Sequence, residues 1–108
     1  MENRFNFRAW DIENKKHILD CDRVYRLLTD GDNSFIYEQC TGLKDKNGKL
    51  IYEGDIVEVP VLYNGIPTGQ KQRCKVYYKH GAFNIYAVKP EYLKVIGNIH
   101  ENSELLEE

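Results

Sequence analysis

Residues 41–59 constrain the fold more than any other part of the chain, because they encode two turns and a strand in close succession. Asn47-Gly48 is a dipeptide that tolerates the positive φ angles of a two-residue type I′ turn, so a tight hairpin is predicted there. Gly54-Asp55 then breaks the chain before residues 56–59, whose β-branched side chains favour a half-buried strand. We therefore interpret Asn47, Gly48, Gly54 and Asp55 as structural turn residues.

Alternating or β-branched runs predict further short strands. In residues 4–9, Phe5, Phe7 and Ala9 share one face, while Arg4, Asn6 and Arg8 share the other. The remaining predicted strands are residues 17–19, 35–40, 72–78, 82–88 and 93–99. The predicted turns are residues 30–33 and His80-Gly81, the second of which joins a hairpin. Several short strands joined by turns indicate a compact barrel or a strongly bent sheet.

Other residues are expected to shape the ends of elements. Pro60 has no N–H for a ladder hydrogen bond, so its strand ends there or lies at an edge. Gly97 predicts a bulge or a close backbone approach, and Asn102 is expected to cap a short turn through Leu106. Residues 63–70 are predicted to be a flexible loop. Residues 23–28 fit helical spacing as well as a strand, so both alternatives stay open.

Length and composition indicate one folded domain outside the membrane. A chain of 108 residues has room for a single modest core, and 42% hydrophobic with 30% charged residues is typical of a folded protein. The apolar runs are too short to cross a bilayer, so a cytoplasmic location is expected. Because the net charge is −2, the molecule as a whole is not attracted electrostatically to nucleic acid or to an anionic membrane. Cys21, Cys40 and Cys74 are widely spaced and are interpreted as reduced and structural.

Three segments, residues 4–11, 41–57 and 96–106, together resemble the YopX family of phage and prophage proteins. The resemblance implies a mostly β fold, encoded by a bacteriophage and acting in the bacterial host, with no known activity. It also implies an SH3-like barrel over residues 41–108. To this we add an N-terminal β extension over residues 1–40 and a short C-terminal helix, all within one domain of residues 1–108. Ser103 stands where the family often has a proline, which loosens the terminal turn.

The reactive side chains form no catalytic or metal-binding motif in the sequence. His17, His80 and His100 are dispersed, and no pair has the spacing that places two imidazoles on one metal. Cys40 has no activating neighbour in sequence and is interpreted as core packing. Asp45, Glu53 and Asp55 are the remaining candidates for acid-base or cation chemistry, although turn hydrogen bonds explain them more simply. No cofactor is expected.

A basic and aromatic strand is the best candidate for nucleic-acid binding. Lys71, Arg73, Lys75 and Lys79 concentrate positive charge near Tyr77, and small barrels often stack bases on exposed aromatic rings. The alternative, which the acidic overall balance favours, is that these lysines protect an exposed strand from edge-to-edge aggregation. Trp10, the sole tryptophan, either is buried and pins the first strand or is exposed and marks a partner surface.

These observations favour a non-catalytic phage accessory protein that binds a host or phage macromolecule in the cytoplasm. The first alternative is a nucleic-acid-binding barrel that uses the basic strand, and the second is a small enzyme or metal protein that uses the carboxylates. Exposed strand edges also make a homo-oligomer plausible, which the mass in solution would decide.

Overall fold

The computed structural model describes residues 6–31 and 33–107, which form nine short strands and one α-helix. The strands are β1 (Phe7–Asp11), β2 (Lys16–Ile18), β3 (Phe35–Lys44), β4 (Leu50–Tyr52), β5 (Asp55–Tyr63), β6 (Ile66–Lys75), β7 (Tyr78–Lys79), β8 (Ala82–Phe83) and β9 (Lys94–Asn98). The helix α1 is Cys21–Thr29, and 3₁₀ turns follow at Asn84–Ala87, Pro90–Tyr92 and Ser103–Leu106. The predicted mainly β fold is confirmed. The predicted C-terminal helix is only a 3₁₀ turn, and α1 lies in the first third of the chain.

The strands form two main antiparallel sheets and one small ladder. The first sheet has the order β2-β1-β3-β4, the second has the order β6-β5-β9, and β7 pairs with β8. The predicted first strand began at Arg4. Arg4 and Phe5 lie outside the described residues, and β1 continues beyond the predicted end to Asp11. The strand predicted to end at Cys40 runs on to Lys44 as β3.

Helix α1 resolves the segment for which helix and strand were both open. Asp20 is its N-cap, and the Asp20 carboxylate accepts hydrogen bonds from the backbone N–H groups of Asp22 and Arg23. Val24 is buried and Leu27 packs beside it, as helical spacing requires. The cap and the apolar stripe together outweigh the strand propensity. Asp32, in the predicted turn of residues 30–33, lies outside the described residues.

The segment predicted to be a flexible loop instead contains the turn of a long hairpin. Asn64 and Gly65 have φ angles of 51° and 80°, and Tyr63 pairs with Ile66 across them. Two consecutive positive φ angles in a two-residue loop are typical of a type I′ turn. Strand β5 also continues past Pro60. Because β9 pairs with β5 only as far as Glu58, one side of β5 at Pro60 has no ladder partner among the described strands, which fits the missing N–H of Pro60.

At Asn47-Gly48 the predicted hairpin is confirmed but the predicted turn type is wrong. Gly48 has a φ of 81°, whereas Asn47 is not in the positive region. The Gly48 N–H donates to the Asp45 carbonyl at 2.9 Å, and the Asp45 N–H donates to the Lys49 carbonyl at 2.8 Å. These bonds close a three-residue loop whose last residue is a left-handed glycine, the next most common hairpin connection.

The hairpin predicted at His80-Gly81 forms with much shorter strands. Lys79 pairs with Ala82 across the turn, and His80 and Gly81 both have positive φ angles. Residues 72–75 belong to β6 rather than to this hairpin, and the chain after Phe83 turns into a 3₁₀ segment. The prediction is therefore right for the turn and wrong for the extent of both strands.

Gly97 has both of the features predicted for it. Ile56 pairs with Gly97 and Val57 pairs with Val95, so Ile96 is the extra residue of a bulge. A Cβ on Gly97 would lie 2.6 Å from Oδ1 of Asn102, which shows a close approach. Asn102 does begin the terminal 3₁₀ turn, but its side chain makes no capping bond there. That oxygen instead accepts from the backbone N–H of Asn98, so the predicted capping bond is wrong.

Two hydrophobic cores divide the molecule. Buried residues of the first are Ala9, Ile18 and Val24, and those of the second are Ile51, Val57, Val76, Phe83, Ile85 and Leu93. The three cysteines are free thiols, and only Cys40 is buried. No helix in the described part of the chain has the length and apolar character that a bilayer crossing requires.

Candidate functional site at the junction of the two sheets

Arg8 is the centre of a buried ionic cluster that joins the first sheet to the second. From β1, the Arg8 Nε donates to Oε1 of Glu38 on β3, and Nη2 donates to Oδ1 of Asp55 at the start of β5, both at 2.8 Å. No side chain of the three is more than 6% exposed. Charges are buried in proteins only when they are paired and hydrogen bonded. The face of β1 that carries Arg8 is therefore buried, as is the opposite face that carries Ala9.

Two histidines from distant parts of the chain share the Glu38 carboxylate. His17 on β2 places Nε2 3.0 Å from Oε1, and His100, which follows β9, places Nε2 2.9 Å from Oε2. Trp10 stacks on the His100 ring at a centroid distance of 4.6 Å and meets the His17 ring edge-on at 4.8 Å. The sequence separates these groups by tens of residues, and the fold brings them into one cluster, hereafter the junction cluster: Arg8, Trp10, His17, Glu38, Asp55 and His100.

The two carboxylates of the junction cluster differ in their protonation behaviour. Burial raises the pKa of Glu38, but the hydrogen bonds of the two histidines and the charge of Arg8 more than offset it, so this pKa lies below its ordinary value. At Asp55, burial outweighs Arg8 and the hydrogen bond from the Tyr52 N–H, so the pKa of Asp55 is raised. The same Arg8 guanidinium thus acts on two carboxylates whose pKa values shift in opposite directions from their ordinary values.

The interpretation of Trp10 as an exposed partner surface is wrong, because its side chain is only 6% exposed. The alternative of a buried indole that pins the first strand is confirmed, and its contacts are the two histidine rings. His80 lies exposed in its predicted turn, away from this cluster. Sequence reasoning missed the junction cluster because no local spacing joins its members.

The three acidic candidates do not converge on one cleft. Asp45 accepts from the backbone N–H groups of Asn47, Lys49 and Val95, each at 2.9 Å. Glu53 accepts a hydrogen bond from the backbone N–H of Gln39 at 3.4 Å. Asp55 accepts hydrogen bonds from the Arg8 guanidinium and from the backbone N–H of Tyr52. The turn roles predicted for Asp45 and Asp55 are confirmed. The ion pair of Asp55 with Arg8 was not predicted.

Asp45→Asn is expected to lower the free energy of unfolding by about 1–3 kcal/mol at neutral pH, because an amide cannot accept all three bonds. Burial raises the pKa of Asp45, but the three N–H groups outweigh it, so the pKa lies below its ordinary value of 3.8. The stabilisation is therefore complete above about pH 4 and is lost as the pH falls through the lower folded-state pKa. Urea unfolding between about pH 7 and pH 3 should show the variant and the wild type converging at the acid end. A constant difference would contradict this assignment.

A cavity of about 560 Å³ opens beside the junction cluster. Arg8, His17 and Asp55 contribute to its wall, together with Lys44 and Lys49 from the ends of the β3–β4 hairpin. Glu101 lines the cavity as well, so with Asp55 bound to Arg8 the other charged side chains of the wall are Lys44, Lys49 and Glu101.

The basic residues predicted to bind nucleic acid are all exposed, and three of them share a face. Lys71, Arg73 and Lys75 alternate along β6, so their side chains point the same way. Lys71 forms an exposed ion pair with Glu58 at 3.3 Å, and Arg73 Nη1 donates to the Leu105 carbonyl at 3.4 Å. The remaining two predicted residues, Tyr77 and Lys79, follow β6 and are exposed as well.

The fold and the junction cluster define a small, mainly β protein whose two sheets are joined by a buried ionic group. The chain belongs to the YopX family, since the family model described as "YopX protein" matches residues 6–107. The crystal structure of protein EF1440 from Enterococcus faecalis is similar, with a TM-score of 0.64 and 25% identity over 94% of this chain and 97% of that chain. No curated protein matches the sequence. Arg8, Trp10, Asp55 and His100 all fall within the three segments that carried the predicted resemblance.

Proposed function

We propose that this chain is a non-catalytic phage accessory protein that binds a macromolecule in the bacterial cytoplasm through its β5–β6 hairpin. The observation that carries the proposal is the tip of that hairpin, where Leu62, Tyr63 and Ile66 are 42%, 73% and 68% exposed. Tyr63 and Ile66 are cross-strand neighbours on one face of the hairpin, and Leu62 projects from the opposite face beside them. Large exposed apolar side chains close together are typical of interaction sites. We call these three residues the hairpin tip.

The hairpin extends beyond the rest of the second sheet. Strand β9 pairs with β5 only from Asp55 to Glu58, so the remainder of β5 has β6 as its sole ladder partner among the described strands. The molecule measures 48 × 33 × 27 Å, and its radius of gyration of 14.8 Å exceeds the value of about 13 Å for a compact chain of this length. An extended two-stranded arm is suited to contacting a partner surface.

The junction cluster supports a non-catalytic role. Arg8 is ion-paired with both Glu38 and Asp55, and every buried side-chain nitrogen and oxygen in the described part of the chain has a hydrogen-bond partner. The fold contains a sheet that curls into a half barrel, and this supports the SH3-like architecture that we propose for the C-terminal half. Barrels of this size often use one strand-and-loop surface for binding.

Nucleic acid is the second candidate partner, and a specific observation favours it. Lys71, Arg73 and Lys75 lie on one face of an exposed strand that leads to the exposed ring of Tyr77. Basic side chains beside an aromatic ring suit a single strand, whose phosphates and bases they would contact. The ion pair of Lys71 with Glu58 weakens this candidate relative to the hairpin tip.

Affinity capture of a tagged chain from infected host cells, with and without nuclease, tests both candidates. A variant with Leu62→Ser, Tyr63→Ser and Ile66→Ser should lose at least about ten-fold of the captured partner, because anchoring apolar residues dominate binding energies. The matched control carries Ile12→Ser, Leu19→Ser and Tyr25→Ser, which are similarly exposed elsewhere, and it should capture as the wild type does.

A third variant, with Arg73→Gln and Lys75→Gln, separates the two candidates. The main proposal is supported if the partner is still captured after nuclease treatment, if capture is lost in the hairpin-tip variant, and if the Arg73→Gln, Lys75→Gln variant captures as much partner as the wild type. Capture that nuclease abolishes and that falls with this variant supports nucleic acid instead. Capture that all three variants retain would overturn both.

A further inference from the structure

We propose that His17, Glu38 and His100 of the junction cluster form a binding site for one transition-metal ion of the zinc type. One ring nitrogen of each histidine and one Glu38 oxygen lie within 4.8 Å of one another. Two imidazoles and one carboxylate are a ligand set that Zn²⁺ and Co²⁺ accept readily, with the fourth position left to water.

The required rearrangement is small. An ion about 2.1 Å from each ligand atom spaces tetrahedral ligands by about 3.4 Å. Atoms of the cluster that lie as far as 4.8 Å apart would have to approach by up to about 1.4 Å, and the hydrogen-bonded N···O pairs at 2.9 and 3.0 Å would have to separate by about 0.5 Å. In the structure the Nε2 atom of each histidine already faces the same carboxylate, at 3.0 and 2.9 Å. An ion would take the position between these groups and replace the hydrogen bonds that now join them.

The surroundings orient the ligands as outer-shell groups do in metal sites. The Arg8 Nε donates to Oε1 of Glu38 and fixes the carboxylate plane. Trp10 lies flat against the His100 ring, with an angle of 7° between the planes, and meets the His17 ring edge-on. Both rings are thus held by packing before any ion arrives.

The charge of the cluster favours a cation despite the presence of Arg8. With neutral imidazoles, the single positive charge of Arg8 stands against the two negative charges of Glu38 and Asp55, so the group carries one net negative charge. Asp55 accepts a hydrogen bond from Nη2 of Arg8 and so offsets part of the positive charge that Arg8 brings near the proposed site. Little water screens these charges, since all three side chains are buried.

Trp10 supplies the measurement, because it is the sole tryptophan and stacks on one of the proposed ligands. Titrating the full chain with Co²⁺, which is paramagnetic, should quench Trp10 fluorescence saturably with one ion per chain. Adding Zn²⁺, which does not quench in this way, should restore the signal by competition. His17→Gln and His100→Gln should each weaken Co²⁺ binding by at least about ten-fold. His80→Gln, which changes the exposed histidine of the β7–β8 turn, should leave binding unchanged.

The absorption spectrum of bound Co²⁺ keeps the test decisive if either glutamine variant fails to fold. Intense ligand-field bands without a thiolate charge-transfer band support a site of nitrogen and oxygen ligands at the junction cluster. A thiolate band would place the ion on a cysteine and would overturn the proposal. Absence of saturable quenching in the wild type, or equal affinity in folded His17→Gln and His100→Gln, would overturn it as well.

Discussion

Replacing Arg8 by methionine is expected to lower the free energy of unfolding by about 3–5 kcal/mol at neutral pH. Methionine keeps an unbranched side chain with much of the volume of arginine, although it is shorter, and it removes the guanidinium that pairs with Glu38 and Asp55. Both carboxylates would then stay buried without the cation that now bonds to each at 2.8 Å. An uncompensated buried charge costs far more than the loss of a surface ion pair, so this is among the largest effects that one substitution can have on the chain.

Urea unfolding followed by circular dichroism measures the loss, and Lys71→Met is the matched control. Lys71 also pairs with a glutamate, but its side chain is 56% exposed, so its removal should change stability by no more than about 1 kcal/mol. Combining Arg8→Met with Glu38→Gln and Asp55→Asn should recover part of the stability, because the unpaired negative charges disappear. Equal losses for Arg8→Met and Lys71→Met, or no recovery in the combined variant, would contradict the role assigned to Arg8.

The sequence predicted the hairpin at Asn47-Gly48 but not its turn type, and it predicted a flexible loop at Asn64-Gly65, where a tight turn forms. Asn47-Gly48 and Asn64-Gly65 contain the same dipeptide, yet only the second forms a turn with two positive φ angles. At the first, the Asp45 carboxylate accepts from the N–H groups of Asn47 and Lys49 and so stabilises a loop that is one residue longer. A dipeptide predicts a hairpin, and the residue two positions before it selects the turn.

The extent of the β5–β6 hairpin could not be predicted, because cross-strand pairing rather than composition decides it. Residues 63–70 contain two glycines and a proline, which is typical of loops. In the structure this segment continues the ladder through the pairs of Tyr63 with Ile66 and Leu62 with Pro67. The proline is accommodated because β6 is an edge strand, so its missing N–H leaves no buried partner unpaired.

The junction cluster could not be predicted, because its contacts are distant in sequence. Alternation along β1 correctly placed Arg8 opposite Phe7 and Ala9, but the period of two does not say whether the polar face meets water or another sheet. Glu38 and Asp55 lie 30 and 47 residues from Arg8, and His100 lies 62 residues from Glu38. Each partner alone is an ordinary surface residue type, and only the tertiary fold makes the group.

Gly54→Ala is expected to lower the free energy of unfolding by about 3–5 kcal/mol, because two separate costs combine at this position. Gly54 has a φ of 88°, where an alanine is strained by about 1–2 kcal/mol. A Cβ there would also overlap the carboxylate of Glu38 and push it away from its partners in the junction cluster, which costs about 2–3 kcal/mol more. The backbone cannot move aside easily, since the Gly54 N–H donates to Val76 and its carbonyl accepts from Ile99.

Gly48→Ala separates the two costs, because Gly48 has a similar φ of 81° with nothing within 4 Å of the added methyl. It should lose only the strain of about 1–2 kcal/mol in the same urea experiment. The additional loss of unfolding free energy in Gly54→Ala, relative to Gly48→Ala, then measures the cost of displacing Glu38. This additional loss should become smaller when Glu38→Ala is introduced into both the wild type and the Gly54→Ala variant, because the overlapping carboxylate is then absent. Equal losses in Gly48→Ala and Gly54→Ala would show that the contact between Gly54 and Glu38 does not hold the junction cluster in place.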